Sequence, residues 1–248
     1  MRKKEERKNN PNVLINLYLN FLLNKKIMII MSILMFFLII SLIYISKIDN
    51  EIDYLGNPNS FHQSYFNLAL LLINILNSVL ISFFVINLSI NSLNFDILFI
   101  SYIKRYKLSI YKLLTIFLIM LLILLIEFVI IMLIALLRFK LYVLSNMAIL
   151  TFLYNYIAVI FELLISIGLT EIFNLFITPL FVLFIFLILK ILMNNYVKIK
   201  ELFFDYIPYI TYNSKENIFE FGNPLIIILL VFALIFIYIQ IYSIKDIK

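Results

Sequence analysis

The sequence predicts an all-α, polytopic membrane protein with six transmembrane helices. Of its 248 residues, 65% are hydrophobic and 14% are charged, whereas a soluble domain has about 25% charged residues. The apolar residues form continuous runs, each close to the roughly 20 residues that cross a bilayer as a helix. Strands of a membrane barrel would alternate over about ten residues. The predicted spans are Ile27–Ile45, Tyr65–Leu93, Leu113–Leu137, Met147–Gly168, Ile172–Leu189 and Leu225–Tyr242.

Residues 1–26, before the first span, are predicted to form a charged cytoplasmic arm and a helix. Asn recurs at every fourth position from Asn12 to Asn24, and an apolar face follows at helical spacing. This face consists of Leu14, Leu17, Tyr18, Phe21 and Leu22. A helix of this kind beside a span lies in the membrane interface. The alternative is an extension of the first span, but the polar sequence Asn24–Lys26 favours an interfacial helix. Residues 27–248 form the transmembrane domain.

The distribution of basic residues predicts the orientation of these spans. Thirteen of the 20 Lys and Arg residues fall in the N-terminal arm, the connection after the second span and the C-terminal tail. The other seven, including Lys190, fall on the opposite side. Because basic residues accumulate in cytoplasmic loops, both termini are predicted to lie in the cytoplasm of a cell-membrane protein. The net charge of +6 is then explained by lipid headgroups rather than by nucleic acid.

The two longer outer connections carry no recognisable ligand site. The acidic residues Asp49, Glu51 and Asp53 lack the spacing of a calcium-binding loop, and His62 is the only histidine. No metal site is therefore predicted. The last outer connection, Asn194–Asn223, is rich in Tyr and Phe. We expect amphipathic half-helices there, at the outer interface, with an aromatic-rich loop as the alternative.

The cytoplasmic stretch Asn94–Lys112 has an ordered charge pattern. Asp96 precedes an apolar segment, and Lys104, Arg105 and Lys107 follow it. Acidic residues favour the start of a helix and basic residues its end. The pattern predicts a short amphipathic helix across the cytoplasmic face. The alternative is an ordinary basic loop between two spans.

Together, these features resemble the permease subunits of type-two ABC exporters. The interfacial helix, the Lys25–Lys26 step and the acidic–apolar–small–basic segment before the third span all have counterparts there. Unlike the common family pattern, the chain has no Gly after Asp96 and no Pro after Ser101. The resemblance implies that this segment contacts a separate ATPase. The implied coupling residues are Asp96, Leu98, Ser101, Tyr102, Lys104, Arg105 and Lys107.

The resemblance also implies the partners and the substrate class. ATP and Mg²⁺ would be bound by the cytoplasmic ATPase, and this chain would pair with a second permease and with membrane lipids. The closest likeness is to lantibiotic-immunity and peptide-export permeases of low-G+C Gram-positive bacteria. The substrate would be a hydrophobic peptide or bacteriocin, an antibiotic or a lipid-like molecule.

Polar residues within the spans are candidates for a translocation path, because ionisable groups in the membrane usually face the bundle interior or water. They are Asn74, Asn77, Glu127 and Glu162. At 1.5 Å per residue, Glu127 lies roughly 21 Å from Leu113 and Glu162 roughly 9 Å from Gly168. The two acids are thus predicted to differ in depth by about 12 Å and to lack a basic partner in the membrane. For the Asn residues, interhelical hydrogen bonding is the alternative.

No catalytic motif is present. The chain has no phosphate-binding loop, no zinc-protease or nucleophile-elbow motif and no cysteine, so we expect a permease and not an enzyme. The alternatives are a proton-coupled secondary carrier and a membrane immunity or partner protein that transports nothing. Pro179 is expected to bend the fifth span.

Overall fold

The fold, taken from a computed structural model, is a bundle of helices with one β-hairpin. The structure describes residues 11–52, 58–100, 104–139, 146–173, 175, 177–195, 210–213 and 218–244. Their helices are α1 (Pro11–Leu22), α2 (Lys25–Ile52), α3 (Pro58–Ile100), α4 (Arg105–Phe139), α5 (Asn146–Phe173), α6 (Thr178–Asn195) and α7 (Pro224–Ile244). Their strands are β1 (Ile210–Asn213) and β2 (Ile218–Phe221).

Five of these helices are long and apolar enough to cross a membrane, so the chain is a polytopic helical membrane protein. The five spans are Lys25–Lys47, Ala69–Ser89, Arg105–Arg138, Leu150–Phe173 and Pro224–Ile244. Helix α3 is central: in its most apolar 18-residue segment 56% of the residues are buried, whereas the corresponding share is 17% in α2 and in α7. The outer faces of α2 and α7 expose large apolar side chains such as Phe36 and Phe232. Such faces suit contact with lipid rather than with water.

The helices define two ends of the bundle. We call one the basic end: it holds the α1–α2 junction, the start of α4 and the last turns of α5 and α7. Lys112 of α4 there contacts Glu171 of α5 and the ring of Tyr242 of α7. The opposite end, which holds the two strands, is called the hairpin end. Thus α3 runs towards the basic end and α4 runs away from it.

The predicted N-terminal helix is present and ends where the sequence becomes polar. Tyr18 and Leu22 of α1 are buried, and the helix packs against α3 and α4. Asn24 then caps α2, because its Oδ1 accepts a hydrogen bond from the backbone N–H of Ile27 at 3.0 Å. The Nδ2 of Asn24 donates to Oδ1 of Asn87 at 3.2 Å. This contact joins the junction to α3. The arm at residues 1–10 lies outside the described residues.

Helix α3 does not stop at the predicted boundary, Leu93. It continues to Ile100 because neither Gly nor Pro interrupts the sequence after Pro58. Its 43 residues correspond to about 64 Å at 1.5 Å per residue. The prediction of a separate cytoplasmic helix that begins at Asp96 is therefore wrong. Asp96 lies four residues before the end of α3, not at a helix start.

The fifth predicted span, Ile172–Leu189, is also displaced. Ile172 is the next-to-last residue of α5, since that helix continues through Gly168 to Phe173, and α6 begins at Thr178. The apolar part of α6, Thr178–Leu192, is shorter than the five spans. Pro179 occupies the first turn of α6, where its missing N–H is not needed by the helix. The expected bend within this helix is therefore wrong.

Two β-strands form a hairpin in part of the long connection between α6 and α7, within the range Asn194–Asn223 for which half-helices are predicted. Strands β1 and β2 are antiparallel, and Ile210 pairs with Phe221 and Asn213 with Ile218. Their β-branched and aromatic residues favour strands. The rest of the long connection, residues 196–209, lies outside the described residues. After the hairpin, Asn223 caps α7, since its Oδ1 accepts the backbone N–H of Leu225 at 3.1 Å.

Hydroxyl groups join the helices inside the bundle. Tyr65 of α3 donates to the carbonyl of Ile131 in α4 at 3.2 Å. Tyr156 of α5 donates to the carbonyl of Phe117 in α4 at 3.1 Å. Since apolar side chains gain little by leaving lipid for one another, such hydrogen bonds help to fix how membrane helices pack.

Candidate functional site

Two adjacent residues of α3 carry polar groups into different interfaces of the bundle. Asn77 and Ser78 have 1% and 0% of their surface exposed. With 3.6 residues per turn, neighbouring side chains point about 100° apart. Asn77 contacts α4, whereas Ser78 contacts α6. Ser78 lies nine residues after Ala69 and 11 before Ser89, so this pair lies near the middle of the α3 span.

On one side of α3, Asn77 binds Glu127. The Nδ2 of Asn77 donates to Oε2 of Glu127 at 2.9 Å, and Glu127 is 0% exposed. Their other oxygens, Oδ1 of Asn77 and Oε1 of Glu127, have no hydrogen-bond partner among the described residues. Oε1 of Glu127 can therefore bind a proton or accept a hydrogen bond from another group.

On the other side of α3, Lys190 forms an ion pair with Glu162. The Nζ of Lys190 lies 2.9 Å from Oε2 of Glu162 and donates to Oγ of Ser78 at 3.0 Å. The side chains of Lys190 and Glu162 are 12% and 5% exposed. The ring of Phe186 lies one turn earlier on α6, with its centroid 6.0 Å from the same nitrogen. Three helices thus surround one ammonium group.

A narrow pocket without room for a water molecule adjoins this ion pair. It is lined by Asn74, Ala158, Val159, Glu162, Phe186 and Lys190. Oε1 of Glu162 is buried and has no hydrogen-bond partner in the described part of the chain. The pocket therefore combines apolar walls with one carboxylate oxygen that can accept a further hydrogen bond.

Glu127, Asn77, Ser78, Lys190 and Glu162 form what we call the polar layer. Glu162 is 12 residues from Leu150 and 11 from Phe173, so it lies at the middle of its span. Glu127 is linked to α3 through Asn77, and Glu162 is linked to the adjacent Ser78 through Lys190. The predicted difference of about 12 Å in depth between the two acids stays a prediction, since Phe128 beside Glu127 packs on Phe152, ten residues before Glu162 in α5.

Lys190 is the residue of this layer whose position differs from the prediction. The sequence predicts it in the outer loop because the apolar run ends at Leu189, but α6 continues to Asn195. The statement that neither acid has a basic partner is therefore wrong for Glu162. A signal was present: Lys190 is followed by Ile191, Leu192 and Met193, so the apolar segment resumes after the charge.

If every group is ionised, the polar layer holds two carboxylates and one ammonium. Ions in a low-dielectric interior interact strongly because little water screens them. In that state the layer has an excess of negative charge, which favours binding of a proton or a cation, and protonation of Glu127 makes the layer neutral. No His, Cys, Asp or Glu residues form a group of three that could hold a metal ion, within the ranges described above.

A second ion pair lies at the basic end. Nζ of Lys112 lies 3.2 Å from Oε1 of Glu171, with the two side chains 1% and 13% exposed. The same nitrogen lies 5.3 Å from the ring centroid of Tyr242. This cluster joins α4, α5 and α7. The sequence predicts Lys112 in a cytoplasmic loop. In the structure it is buried and lies in the third turn of α4.

The implied coupling residues lie where α3 meets α4. Asp96 and Leu98 belong to the last turns of α3, while Ser101 and Tyr102 lie outside the described residues. Lys104 and Lys107 are exposed and Arg105 is half-buried. Arg105 starts α4. The basic part of the segment is thus at the surface, at the tip of two consecutive helices.

No protein-family model matches the chain, and no match is found among curated proteins or among solved structures.

Proposed function

We propose that this chain is the permease subunit of an ATP-driven exporter. The observation that carries the proposal is the polar layer, since buried ionisable groups in membrane helices usually mark a substrate or ion path. Asn74, Asn77, Glu127 and Glu162 then belong to that path, together with Lys190. The substrate is a hydrophobic peptide, bacteriocin, antibiotic or lipid-like molecule. The resemblance to type-two ABC exporter permeases favours ATP as the energy source.

In this proposal, a cytoplasmic ATPase binds at the tip formed by α3 and α4. Helix α3 continues 11 residues beyond its apolar span, from Ser89 to Ile100, which is about 16 Å at 1.5 Å per residue. It therefore extends past the hydrocarbon region. Lys104, Arg105 and Lys107 at the tip supply a basic surface for the ATPase. The conformational change of the ATPase would then be transmitted to the spans along α3 and α4 themselves, rather than through a separate short helix.

We infer that α6 completes a six-span domain. Its apolar part, Thr178–Leu192, corresponds to about 22 Å, and local thinning of the bilayer can accommodate a short span. With six spans, both termini lie on one side. We assign the basic end to the cytoplasm of a Gram-positive cell membrane and the hairpin end to the outside. A second permease, identical or paralogous, completes the transporter.

This topology predicts the accessibility of single cysteines. Because the chain contains no cysteine, substitutions at Asn57, Ser214 and Ser243 can be labelled one at a time in intact cells. A membrane-impermeant thiol reagent should label positions 57 and 214 from outside, and position 243 only after permeabilisation. Labelling of position 243 in intact cells would contradict the six-span arrangement.

The ATPase partnership predicts the effect of charge reversal at the tip. Reversing Asp96, Lys104 and Arg105 together should leave insertion and folding nearly intact, since exposed ion pairs contribute about 0–1 kcal/mol each. Like charges brought together across an interface cost several kcal/mol. The variant should therefore no longer co-purify with its ATPase or stimulate ATP hydrolysis, measured in reconstituted vesicles.

The matched control is Lys47→Glu, which reverses an exposed charge at the opposite end of α2. It should retain ATPase binding. If the triple variant binds its ATPase and exports as well as the original protein, the tip is not the coupling surface, and the main support for an ABC permease is lost.

A proton-coupled secondary carrier is the second candidate, and the unused oxygen of Glu127 favours it. A carboxyl group buried in a bundle can bind and release a proton during transport. Export that stops when an uncoupler is added at constant ATP would support this candidate. Export that continues under the same conditions, and in Glu127→Gln, would support the ATP-driven exporter.

A further inference from the structure

The surroundings of Lys190 have the chemistry of an ammonium-binding site. Oε2 of Glu162 and Oγ of Ser78 accept its hydrogen bonds at 2.9 and 3.0 Å. The face of Phe186 lies 6.0 Å from the nitrogen, within the range of a cation–π interaction. A carboxylate, a hydroxyl and an aromatic face are the groups that recognise a primary ammonium ion.

We propose that the Lys190 ammonium is a displaceable internal ligand of this site, and that a substrate carrying a primary ammonium group takes its place. The proposal rests on the proposed function as a transporter and names the substrate class: an amphiphilic amine or a peptide with a free amino group. Its apolar part would lie against Ala158, Val159 and Phe186 in the adjoining pocket, which has no room for a water molecule in this structure and must widen to admit it.

The site offers hydrogen-bonding capacity that Lys190 does not use. Oε1 of Glu162 is buried without a hydrogen-bond partner in the described part of the chain, and Asn74 lines the same pocket. An incoming ammonium group can thus bind one carboxylate oxygen while Lys190 still holds the other. The substrate ammonium can therefore replace Lys190 while the carboxylate of Glu162 always keeps a positively charged partner. A buried carboxylate without such a partner would be strongly destabilising.

Lys190 is also the more exposed partner of the pair. Its side chain is 12% exposed, compared with 5% for Glu162, and it has four methylene groups that can carry the ammonium towards a helix end. Once displaced, Lys190 can reach more polar surroundings, whereas Glu162 stays in the bundle.

A cation fits this site better than an anion. A bound carboxylate or phosphate would lie beside the carboxylate of Glu162, and like charges repel strongly where the dielectric is low. An ammonium group that takes the place of Nζ of Lys190 keeps the charge beside Glu162 balanced.

The experiment removes the internal ligand and supplies a free one. Lys190→Met is purified in detergent, and its unfolding temperature is measured with increasing n-butylammonium chloride. The temperature should rise with concentration, because a ligand that binds only the folded state stabilises it. Tetramethylammonium, which has no N–H donor, n-butanol and sodium butyrate should produce no such rise.

The matched control is Glu162→Gln/Lys190→Met, in which the carboxylate is also neutralised. It should not respond to n-butylammonium. The original protein should respond at higher concentrations than Lys190→Met, because the free amine competes with Lys190. The original protein also provides a test that does not depend on whether the single variant folds.

Two results would overturn the proposal. One is an equal response of the original protein and the double variant, which would indicate an effect on the detergent. The other is stabilisation by butyrate but not by n-butylammonium, which would indicate an anion site. These measurements need no ATPase. Amine binding without ATP-driven export would overturn the proposed exporter alone, whereas export without amine binding would overturn only this assignment.

Discussion

Replacing Lys190 with Met is expected to destabilise the folded bundle by about 3–5 kcal/mol, the typical effect of removing one partner of a buried ion pair. Glu162, with 5% of its side chain exposed, would be left without its counter-ion. Ser78 would lose its hydrogen bond from Nζ as well. The free energy of unfolding can be measured by denaturant titration of the purified protein in mixed micelles.

The double variant Glu162→Gln/Lys190→Met separates loss of a charge from loss of a contact. Replacement of a whole buried ion pair by uncharged groups often leaves stability unchanged. This variant should therefore recover most of the free energy of unfolding that Lys190→Met loses. Lys47→Met removes an exposed Lys of α2 and should have little effect. If the double variant is as unstable as the sum of both single variants, the two residues are not coupled as the structure indicates.

Replacing Lys112 with Met is expected to have an effect of similar size, about 3–5 kcal/mol. Lys112 is 1% exposed and joins three helices, because it pairs with Glu171 of α5 and lies over the ring of Tyr242 of α7. Its loss should loosen the basic end. A protease should therefore cleave the C-terminal tail faster in this variant, and the free energy of unfolding should be lower.

The controls for Lys112 test its contacts with Glu171 and Tyr242 separately. Glu171→Gln removes this counter-ion and leaves Lys112 buried with its charge, so it should also destabilise. Tyr242→Leu removes the cation–π interaction, which contributes about 0.5–2 kcal/mol, together with the ring contact to Tyr238, and should have a smaller effect because the ion pair remains. Equal stability of Lys112→Met and the original protein would show that Lys112 reaches water in the membrane.

The two ion pairs have different expected consequences for function. The Lys112–Glu171 pair lies at the basic end, close to the proposed ATPase contact, and joins three helices there. The Lys190–Glu162 pair lies at the middle of the α5 span beside a pocket. The first is expected to act on stability and coupling, and the second on substrate binding as well.

The helical membrane architecture could be predicted from the sequence alone. In lipid, every backbone polar group must be satisfied within the protein, so a long apolar run forms a helix whatever surrounds it. The N-terminal helix and its end before Asn24 followed from local features, namely helical spacing and a polar interruption. The boundaries after Leu93 and Gly168 could not be predicted, because the helices continue beyond the apolar residues.

The sequence by itself determined that the chain is helical, that it lies in a membrane and where most spans are. Only the tertiary structure decided that Lys190 meets Glu162, that Asn77 meets Glu127 and that both pairs contact adjacent residues of α3. The spans are apolar on nearly every side, so hydropathy does not reveal how each helix is rotated or how far it is shifted along its neighbours. The few polar side chains determine that rotation, because each must find its partner inside the bundle.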